Sequence, residues 1–402
     1  MISRIEVSQY RCFHSLEIEL TPHHVLAGAN GSGKTTLLDI PTLFAELLTT
    51  NDVNNVFFEP TLSQSRARAE NPIELVHKLQ GHSFSLSLEV QISEHISHAC
   101  ERLRYEVTFD VVDKLQIAQE HLFIFPESER ESIVKLRDEK ATDKGFQVIR
   151  RSNHQATFQA ERQSQAFNFT IHQGQLALSS LPADHRLFPA TLWFRNSLQQ
   201  YTCLYEPQGF KLRQASPPRY RTGLSPDGRG LPWQILALQK DKPQEFEEWL
   251  ALVQLALPSI QNIQAIERED DRHAYIKIQY QNGIVVPSSG LSDGTLSILA
   301  LTILPYVGKL PQVITLEEPE NGIHPSAIEA VLQAIRAVDT SQIWLTTHSP
   351  IVLAHTELKN VLCMCLTDEG SVEVVYGDKH PRLAHWQGGI DLGTLFAAGV
   401  LS

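Results

Sequence analysis

Cysteine residues and long apolar runs are scarce in this sequence. The 402 residues include five cysteines, and no apolar run approaches the ~18 residues that a membrane-spanning helix requires. Sparse thiols in odd number suit a reducing cytosol better than a disulfide framework. Cys363 and Cys365 lie in an apolar run, which favours buried thiols over metal ligands. We find no signal-peptide pattern either, and we therefore expect a cytoplasmic protein without membrane contact.

Positive charge is also in short supply. Lys and Arg total 34 against 46 Asp and Glu, which gives a net charge of −12 at pH 7. Non-specific DNA binding depends on neutralising phosphates with Lys and Arg. The balance therefore argues against tight non-specific DNA binding by the chain as a whole, although a local basic groove is compatible with it.

A complete glycine-rich phosphate-binding loop is present at residues 28–35, with the pattern G-x-x-x-x-G-K-[ST]. The apolar residues 24–27 predict the end of a strand before the loop. Residues 36–40 open an apolar-periodic helix after it. Strand, loop and helix therefore follow one another in the order that this motif requires.

The residue types in this loop predict binding of nucleotide phosphates. Gly31 and Gly33 allow backbone conformations in which several N–H groups point at phosphate oxygens, and the following helix adds its positive dipole end. Lys34 supplies a point charge for the outer phosphates, and the Thr35 hydroxyl can ligate Mg²⁺. The predicted nucleotide-binding residues here are Asn30, Gly31, Ser32, Gly33, Lys34, Thr35 and Thr36.

Alternation of apolar and polar residues predicts strands on both sides of the loop. Two strands are expected within residues 2–20, separated by the element Tyr10-Arg11-Cys12-Phe13. Between residues 83 and 182 the alternating segments 84–90, 103–109, 114–117 and 167–171 predict an antiparallel β subdomain. The charged stretch 127–144 interrupts this subdomain, and we interpret it as a solvated helix or excursion.

Residues 183–230 are rich in proline and arginine. Basic and aromatic side chains alternate there: Lys211, Arg213, Arg219, Arg221 and Arg229 lie near Tyr201, Tyr205, Phe210 and Tyr220. Such a mixture can bind a nucleic-acid backbone. A structural loop that bridges two lobes is the alternative that we favour. Helices predicted at 233–239 and 243–257 complete a helical insertion.

Polar residues stand at the ends of predicted elements in the C-terminal part. Ser292, Asp293 and Gly294 open an apolar helix that reaches about residue 306, with Ser292 as its N-cap. Glu317 and Glu318 follow an apolar strand, and His348 follows another. The carboxyl ends of buried parallel strands are where α/β folds place ligands, so we expect the acid pair and the histidine beside the phosphate loop.

These motifs together resemble the ABC-type ATPase heads of the SMC, RecF and OLD (overcoming-lysogenization-defect) group. Those heads begin with a strand pair and an aromatic-Arg-x-Phe element, here residues 10–13. Residues 291–295 are similar to the Leu-Ser-Gly-Gly-Gln signature, with Asp293 and Thr295 as departures. Residues 320–325 match the loop that follows the acid pair. The resemblance covers nearly the whole chain. The sequence shows neither the coiled-coil arms of SMC proteins nor a recognisable Toprim nuclease segment.

The resemblance implies an α/β fold, a P-loop NTPase of the ABC-type ATPase head class with an antiparallel β subdomain and a helical insertion. It implies ATP and Mg²⁺ as cofactors. Glu317 would hold Mg²⁺ together with Thr35, and Glu318 would orient or deprotonate the attacking water. His348 would contact the γ-phosphate. Residues 292–294 would dock on the γ-phosphate held by a partner subunit, so the chain would act as a homodimer.

The predicted segments are 1–82 and 281–402 as the two halves of the ATPase head, 83–182 as the β subdomain, and 183–280 as basic linker and helical insertion. Our leading hypothesis is an ATP-switched sensor or scaffold for a separate effector, a nuclease, in bacterial anti-phage defence. The alternative is a RecF-like DNA-repair ATPase that binds DNA directly. A transporter ATPase ranks third, because the β insert does not fit and Gln64 is the only candidate for a magnesium-sensing glutamine.

Overall fold

A computed structural model of the chain describes residues 1–61, 66–93, 95–96, 100–130, 146–383 and 391–398. Contacts divide the chain into two units. The first unit comprises Met1–Thr21, Asn30–Thr202 and Cys365–Val374, and the second comprises Pro22–Ala29, Cys203–Met364 and Val375–Ser402. The predicted segments 1–82 and 83–182 thus fall mainly in the first unit, and the predicted segment 281–402 falls mainly in the second.

The described part of the first unit contains an eight-stranded antiparallel sheet with strand order β2-β1-β4-β5-β6-β7-β8-β9. Its strands are β1 (Ile2–Tyr10), β2 (Phe13–Glu19), β4 (Ser83–Gln91), β5 (Arg102–Val111), β6 (Leu115–Phe125), β7 (Phe146–Ser152), β8 (Gln155–Gln159) and β9 (Ala166–Thr170). The strand pair and antiparallel strands between residues 83 and 182 are present as predicted, and they share one sheet because β1 pairs with β4. Most of the charged stretch 127–144 lies outside the described residues.

In the part of the chain that the structure describes, three α-helices accompany this sheet: α1 (Lys34–Leu47), α2 (Val53–Phe58) and α3 (Pro189–Tyr201). The interpretation of residues 183–230 as a loop was wrong for α3. Its apolar residues Leu192, Phe194 and Leu198 are buried, and Pro189 occupies the first turn, where no backbone donor is lost. Tertiary burial therefore stabilises a helix that the local composition did not indicate.

A buried arginine anchors helix α1 to the segment that follows α2. The Arg68 guanidinium donates to both carboxylate oxygens of Asp39, at 2.7 and 2.8 Å, and to Glu46 at 2.6 Å. The Arg11 guanidinium in turn donates to the Arg68 carbonyl at 2.8 Å. Two ion pairs to α1 and one hydrogen bond from the β1–β2 turn thus hold this segment against α1, the helix that follows the phosphate loop.

Most of a six-stranded sheet lies in the second unit, and its strand order in the described residues is β10-β14-β15-β3-β16-β17. Its strands are β3 (His23–Gly28), β10 (Thr202–Leu204), β14 (Val313–Glu317), β15 (Gln342–Thr347), β16 (Val361–Leu366) and β17 (Val372–Tyr376). The central pairs β14–β15, β15–β3 and β3–β16 are parallel. Cys363 is fully buried, as its apolar run predicts, whereas the same prediction was wrong for Cys365, which is half-buried near the end of β16.

A three-stranded antiparallel sheet and several helices complete the second unit. The strands are β11 (Ile260–Glu267), β12 (Ala274–Tyr280) and β13 (Val285–Pro287), and the helices are α4 (Gly209–Leu212), α5 (Leu231–Asp241), α6 (Pro243–Ala256), α7 (Asp293–Thr302), α8 (Pro325–Arg336), α9 (Pro350–Ala354) and α10 (Leu392–Ala397). The helices predicted at 233–239 and 243–257 are confirmed as α5 and α6. The helical insertion is only partly helical, because β11 and β12 lie within it.

Helices α6, α7 and α8 pack against one another around buried Trp249. The Trp249 indole N–H donates to the Thr302 hydroxyl at 3.1 Å, so α6 and α7 are joined by a buried hydrogen bond as well as by apolar contact. None of the helices in the described residues is both long and apolar enough to cross a bilayer.

Candidate functional site

The phosphate-binding loop has the backbone that its glycines predict. Strand β3 ends at Gly28 and helix α1 begins at Lys34, so the loop occupies the intervening residues. Gly31 and Gly33 have φ values of 79° and 83°, in the left-handed region that favours glycine. A Cβ at Gly33 would lie 2.5 Å from Cys12 Sγ, so this position is also too crowded for a side chain.

The interior of the loop is suited to an anion. The Ser32 hydroxyl is buried and makes no hydrogen bond, and the Lys34 side chain is buried as well. A buried hydroxyl without a partner costs free energy that an incoming phosphate oxygen would recover. Asn30, Gly31 and Thr35 are exposed around this interior. The residues present therefore fit the phosphates of a nucleotide.

Parallel register brings the ends of three strands of the second unit to one edge. Glu317 at the end of β14 pairs with Thr346 of β15, and Thr347 of β15 pairs with Ala27 of β3. The phosphate loop begins directly after Ala27, and His348 follows directly after Thr347. The acid pair, the histidine and the first residues of the loop thus lie at the same sheet edge, as expected.

Glu318 lies beyond β14 in a left-handed conformation with φ 42°. Its Oε1 lies 3.3 Å from His348 Nε2, and its Oε2 accepts a hydrogen bond from Asn321 Nδ2 at 2.7 Å. Its backbone N–H donates to Thr346 Oγ1 at 3.1 Å. Three contacts therefore hold a backbone conformation that costs a non-glycine residue about 1–3 kcal/mol. Glu318 thus lies in the turn after the strand, and its role as the second acid stays a prediction.

A third carboxylate, Glu320, joins this group. It accepts a hydrogen bond from the Thr347 hydroxyl, which itself accepts the Ser349 N–H at 2.9 Å. Its second oxygen is buried without a hydrogen-bond partner, and burial raises the pKa of its carboxyl above the ordinary value. Sequence reasoning assigned no role to Glu320 or Asn321, although both lie in the loop that resembles the family motif.

The signature-like segment begins helix α7 as predicted. The Ser292 hydroxyl accepts the Thr295 N–H at 3.1 Å, so Ser292 is the N-cap. A Cβ at Gly294 would lie 2.5 Å from the Gly322 carbonyl oxygen, in the loop after the acid pair. The structure thus gives a different reason for glycine here, namely close packing within the subunit. The Asp293 carboxylate forms an ion pair with Arg213 at 2.7 Å.

Comparison with known proteins agrees with this arrangement. The profile of a family described as "AAA domain, putative AbiEii toxin, Type IV TA system" matches residues 24–354, which is most of the chain. The chain belongs to this AAA_21 family. No curated protein matches it in sequence.

Solved structures similar to this AAA_21 chain are SMC heads. An SMC head bound to the C-winged helix domain of ScpA is 14% identical, with 93% of this chain and 96% of that chain covered and a TM-score of 0.52. The Pyrococcus furiosus SMC head with an extended coiled coil, bound to the C-terminal domain of ScpA, is 11% identical, with coverages of 93% and 95% and a TM-score of 0.51. The P-loop NTPase fold of the ATPase head and the resemblance to the SMC and RecF group are thereby confirmed.

The basic residues of the 183–230 segment are largely engaged within the AAA_21 chain. Arg221 pairs with Glu267, and Arg229 pairs with Asp227 at 3.0 Å. The Arg219 guanidinium lies 5.1 Å from the centre of the Tyr220 ring. Acidic partners reduce the positive field that a nucleic-acid backbone would meet. This favours the structural role of the segment over direct nucleic-acid contact.

The magnesium assignment stays a prediction. Thr35 belongs to the first unit and Glu317 to the second. Among the described residues, no group of three or more His, Cys, Asp or Glu side chains is placed to hold a metal ion. A P-loop magnesium site needs few protein ligands, because substrate phosphates and water complete its shell. Gln64, the candidate magnesium-sensing glutamine, lies outside the described residues.

Proposed function

We propose that this chain binds ATP with Mg²⁺ and hydrolyses it to ADP and phosphate. The observation that carries the proposal is the contact of 3.3 Å between Glu318 Oε1 and His348 Nε2, at the sheet edge where the phosphate loop begins. A carboxylate and an imidazole at that position suit an attacking water and a terminal phosphate. The family is one of ATPase-type domains, which agrees with this chemistry.

Each residue of the proposed site has a distinct role. The loop backbone, Ser32 and Lys34 would bind the phosphates, and Thr35 with Glu317 would hold Mg²⁺, which neutralises charge on the phosphates when it is bound. Glu318 orients the attacking water and accepts its proton. The Asn321 amide fixes the Glu318 carboxylate by its hydrogen bond of 2.7 Å. His348 donates a hydrogen bond towards the γ-phosphate.

We further propose that two copies of the chain complete the site. The N-terminus of α7, with exposed Ser292 and half-buried Gly294, would meet the γ-phosphate that is bound by the other copy. This proposal rests on the resemblance of residues 291–295 to the ABC signature. A homodimer that forms with ATP and separates after hydrolysis is the expected consequence.

The biological role that we favour is an ATP-dependent scaffold for a separate effector, a nuclease, in bacterial anti-phage defence. The family description refers to a toxin–antitoxin system, and the similar SMC heads are bound to the partner protein ScpA. The internal ion pairs of Arg221 and Arg229 weigh against the alternative, a RecF-like DNA-repair ATPase. Co-purification with proteins encoded by neighbouring genes would identify the partner.

Three variants test the chemistry. Lys34→Ala removes the buried cation of the loop, so we expect a fluorescent ATP analogue not to bind.

Glu318→Gln keeps the shape of the side chain and the Asn321 contact but removes the base. We therefore expect ATP binding with phosphate release at least about 100-fold slower. Glu329→Gln, at an exposed position of α8, is the matched control. Hydrolysis by Glu318→Gln at the unmodified rate would overturn the assignment of the base.

A further inference from the structure

Arg213 contacts the start of helix α7 on both sides of the N-cap residue Ser292. Its Nη1 lies 2.7 Å from Asp293 Oδ1, and its Nε donates to the Leu291 carbonyl at 3.0 Å. Its own carbonyl accepts a hydrogen bond from the Ser288 hydroxyl at 3.3 Å. One arginine thus contacts the strip of chain 288–293 at three points. Sequence analysis had grouped it with the basic linker.

Packing fixes the direction of the Asp293 carboxylate. A Cβ built at Gly209, the first residue of α4, would lie 1.6 Å from Asp293 Oδ1. The carboxylate therefore lies against the backbone of α4, and a glycine there is what makes room for it. Arg213 follows directly after α4, so the same short helix provides both the space and the positive charge.

The charge of Asp293 poses a problem for a helix end that meets phosphate. An acid in the first turn interacts favourably with the helix dipole, but its negative charge repels an anionic ligand at that end. Asp293 stands where the ABC signature has glycine. The ion pair with Arg213 cancels this charge locally, because the two groups are only 2.7 Å apart.

We infer that Arg213 is a positioning residue of the nucleotide site. It neutralises Asp293 and holds residues 291–293, so that the N-terminus of α7 attracts the γ-phosphate bound by a second copy of the chain. The inference rests on the proposed ATP-dependent dimer. It assigns to the 183–230 segment a function in the ATPase site.

The test measures ATP-dependent dimerisation by light scattering in the Glu318→Gln background, in which hydrolysis does not dissolve the dimer. Arg213→Gln leaves Asp293 uncompensated, and we expect the ATP concentration for half-maximal dimerisation to rise about fivefold or more. Asp293→Asn should lower that concentration. The double variant Arg213→Gln/Asp293→Asn should need an ATP concentration for half-maximal dimerisation close to that of the parent. The difference between Arg213→Gln and the parent should become smaller as added salt screens the charge of Asp293.

Two controls separate charge from packing. Arg213→Lys keeps the positive charge but loses the Nε hydrogen bond. Its ATP concentration for half-maximal dimerisation should be closer to that of the parent than the value for Arg213→Gln. Arg221→Gln removes another ion-paired arginine of the same segment and should have no effect on dimerisation. Thermal unfolding without nucleotide and binding of a fluorescent ATP analogue to the monomer should be the same for Arg213→Gln and the parent.

The outcomes distinguish the inference from the proposed function. A parent protein that binds ATP without dimerising would overturn the proposed dimer and this inference with it. A parent that dimerises, with Arg213→Gln equal to it, would overturn the inference alone. So would a double variant as weak as Arg213→Gln, because Arg213 would then act through local packing instead of through the charge of Asp293.

Discussion

At the scale of single residues, Gly31 and Gly33 of the phosphate loop differ in why glycine is needed. Gly31 and Gly33 share a positive φ, but a Cβ at Gly31 would meet no atom within 4 Å, whereas one at Gly33 would overlap Cys12 Sγ. The motif specifies glycine at position 33 and leaves position 31 open. The surroundings make one of them a packing site as well.

This difference gives a prediction for stability. Gly31→Ala should lower the free energy of unfolding by about 1 kcal/mol, because a residue with a Cβ is strained at this positive φ. Gly33→Ala should cost a further ~1–3 kcal/mol, because its methyl group displaces Cys12. Urea unfolding of the nucleotide-free proteins measures both values. Equal losses in the two variants would contradict the contact with Cys12, and Gly33→Ala/Cys12→Ala should recover part of the extra loss.

At the scale of elements, the start of α7 and the loop after the acid pair form one packed unit. Gly294 lies against the Gly322 carbonyl, and that loop also carries Asn321, which fixes Glu318. A displacement of α7 would therefore move the proposed base. The signature-like helix and the acid pair are thus connected within one subunit by backbone contact.

Gly294→Ala should consequently slow ATP hydrolysis about 10- to 100-fold, since a misplacement of about 1 Å has effects of that size. Binding of a fluorescent ATP analogue to the loop should stay within about twofold of the parent, because the substitution leaves the loop's own contacts intact. Gly308→Ala is the matched control, as a Cβ there would meet no atom within 4 Å. Unchanged phosphate release by Gly294→Ala would show that this packing does not position Glu318.

At the scale of the whole molecule, the charge distribution favours one of the two biological hypotheses. The net charge is −12, and Arg213, Arg221 and Arg229 are paired with acids of the chain. Counterion release from DNA needs cations that are available to phosphates. A protein of this kind is better suited to a protein partner than to direct DNA binding.

We therefore expect no measurable binding to a fluorescently labelled DNA duplex at about 0.15 M salt, by anisotropy. Arg219→Gln/Arg221→Gln is the informative variant, because both side chains are exposed. Salt-dependent DNA binding by the unmodified chain that is lost in this double variant would instead favour the RecF-like repair function.

Much of the fold was predictable from local patterns. Alternation indicated six of the eight strands of the eight-stranded sheet, and apolar runs indicated β14 and β15, because strand and core preferences recur every few residues. Strands β7 and β8, helix α3 and the pair β11–β12 were missed. The alternation at 274–280 was an available signal for β12, whereas α3 depends on burial of Leu192, Phe194 and Leu198, which only packing reveals.

By itself the sequence determined the phosphate loop, its glycine backbone, the N-cap at Ser292, and the acids and histidine at the strand ends. Each depends on residues within one or two turns of chain. Tertiary structure alone decided that His348 contacts Glu318, that Gly322 occupies the space beside Gly294, and that Arg213 forms an ion pair with Asp293. Such contacts join residues from separate elements, and their pairing is set by how those elements pack, which no local pattern specifies.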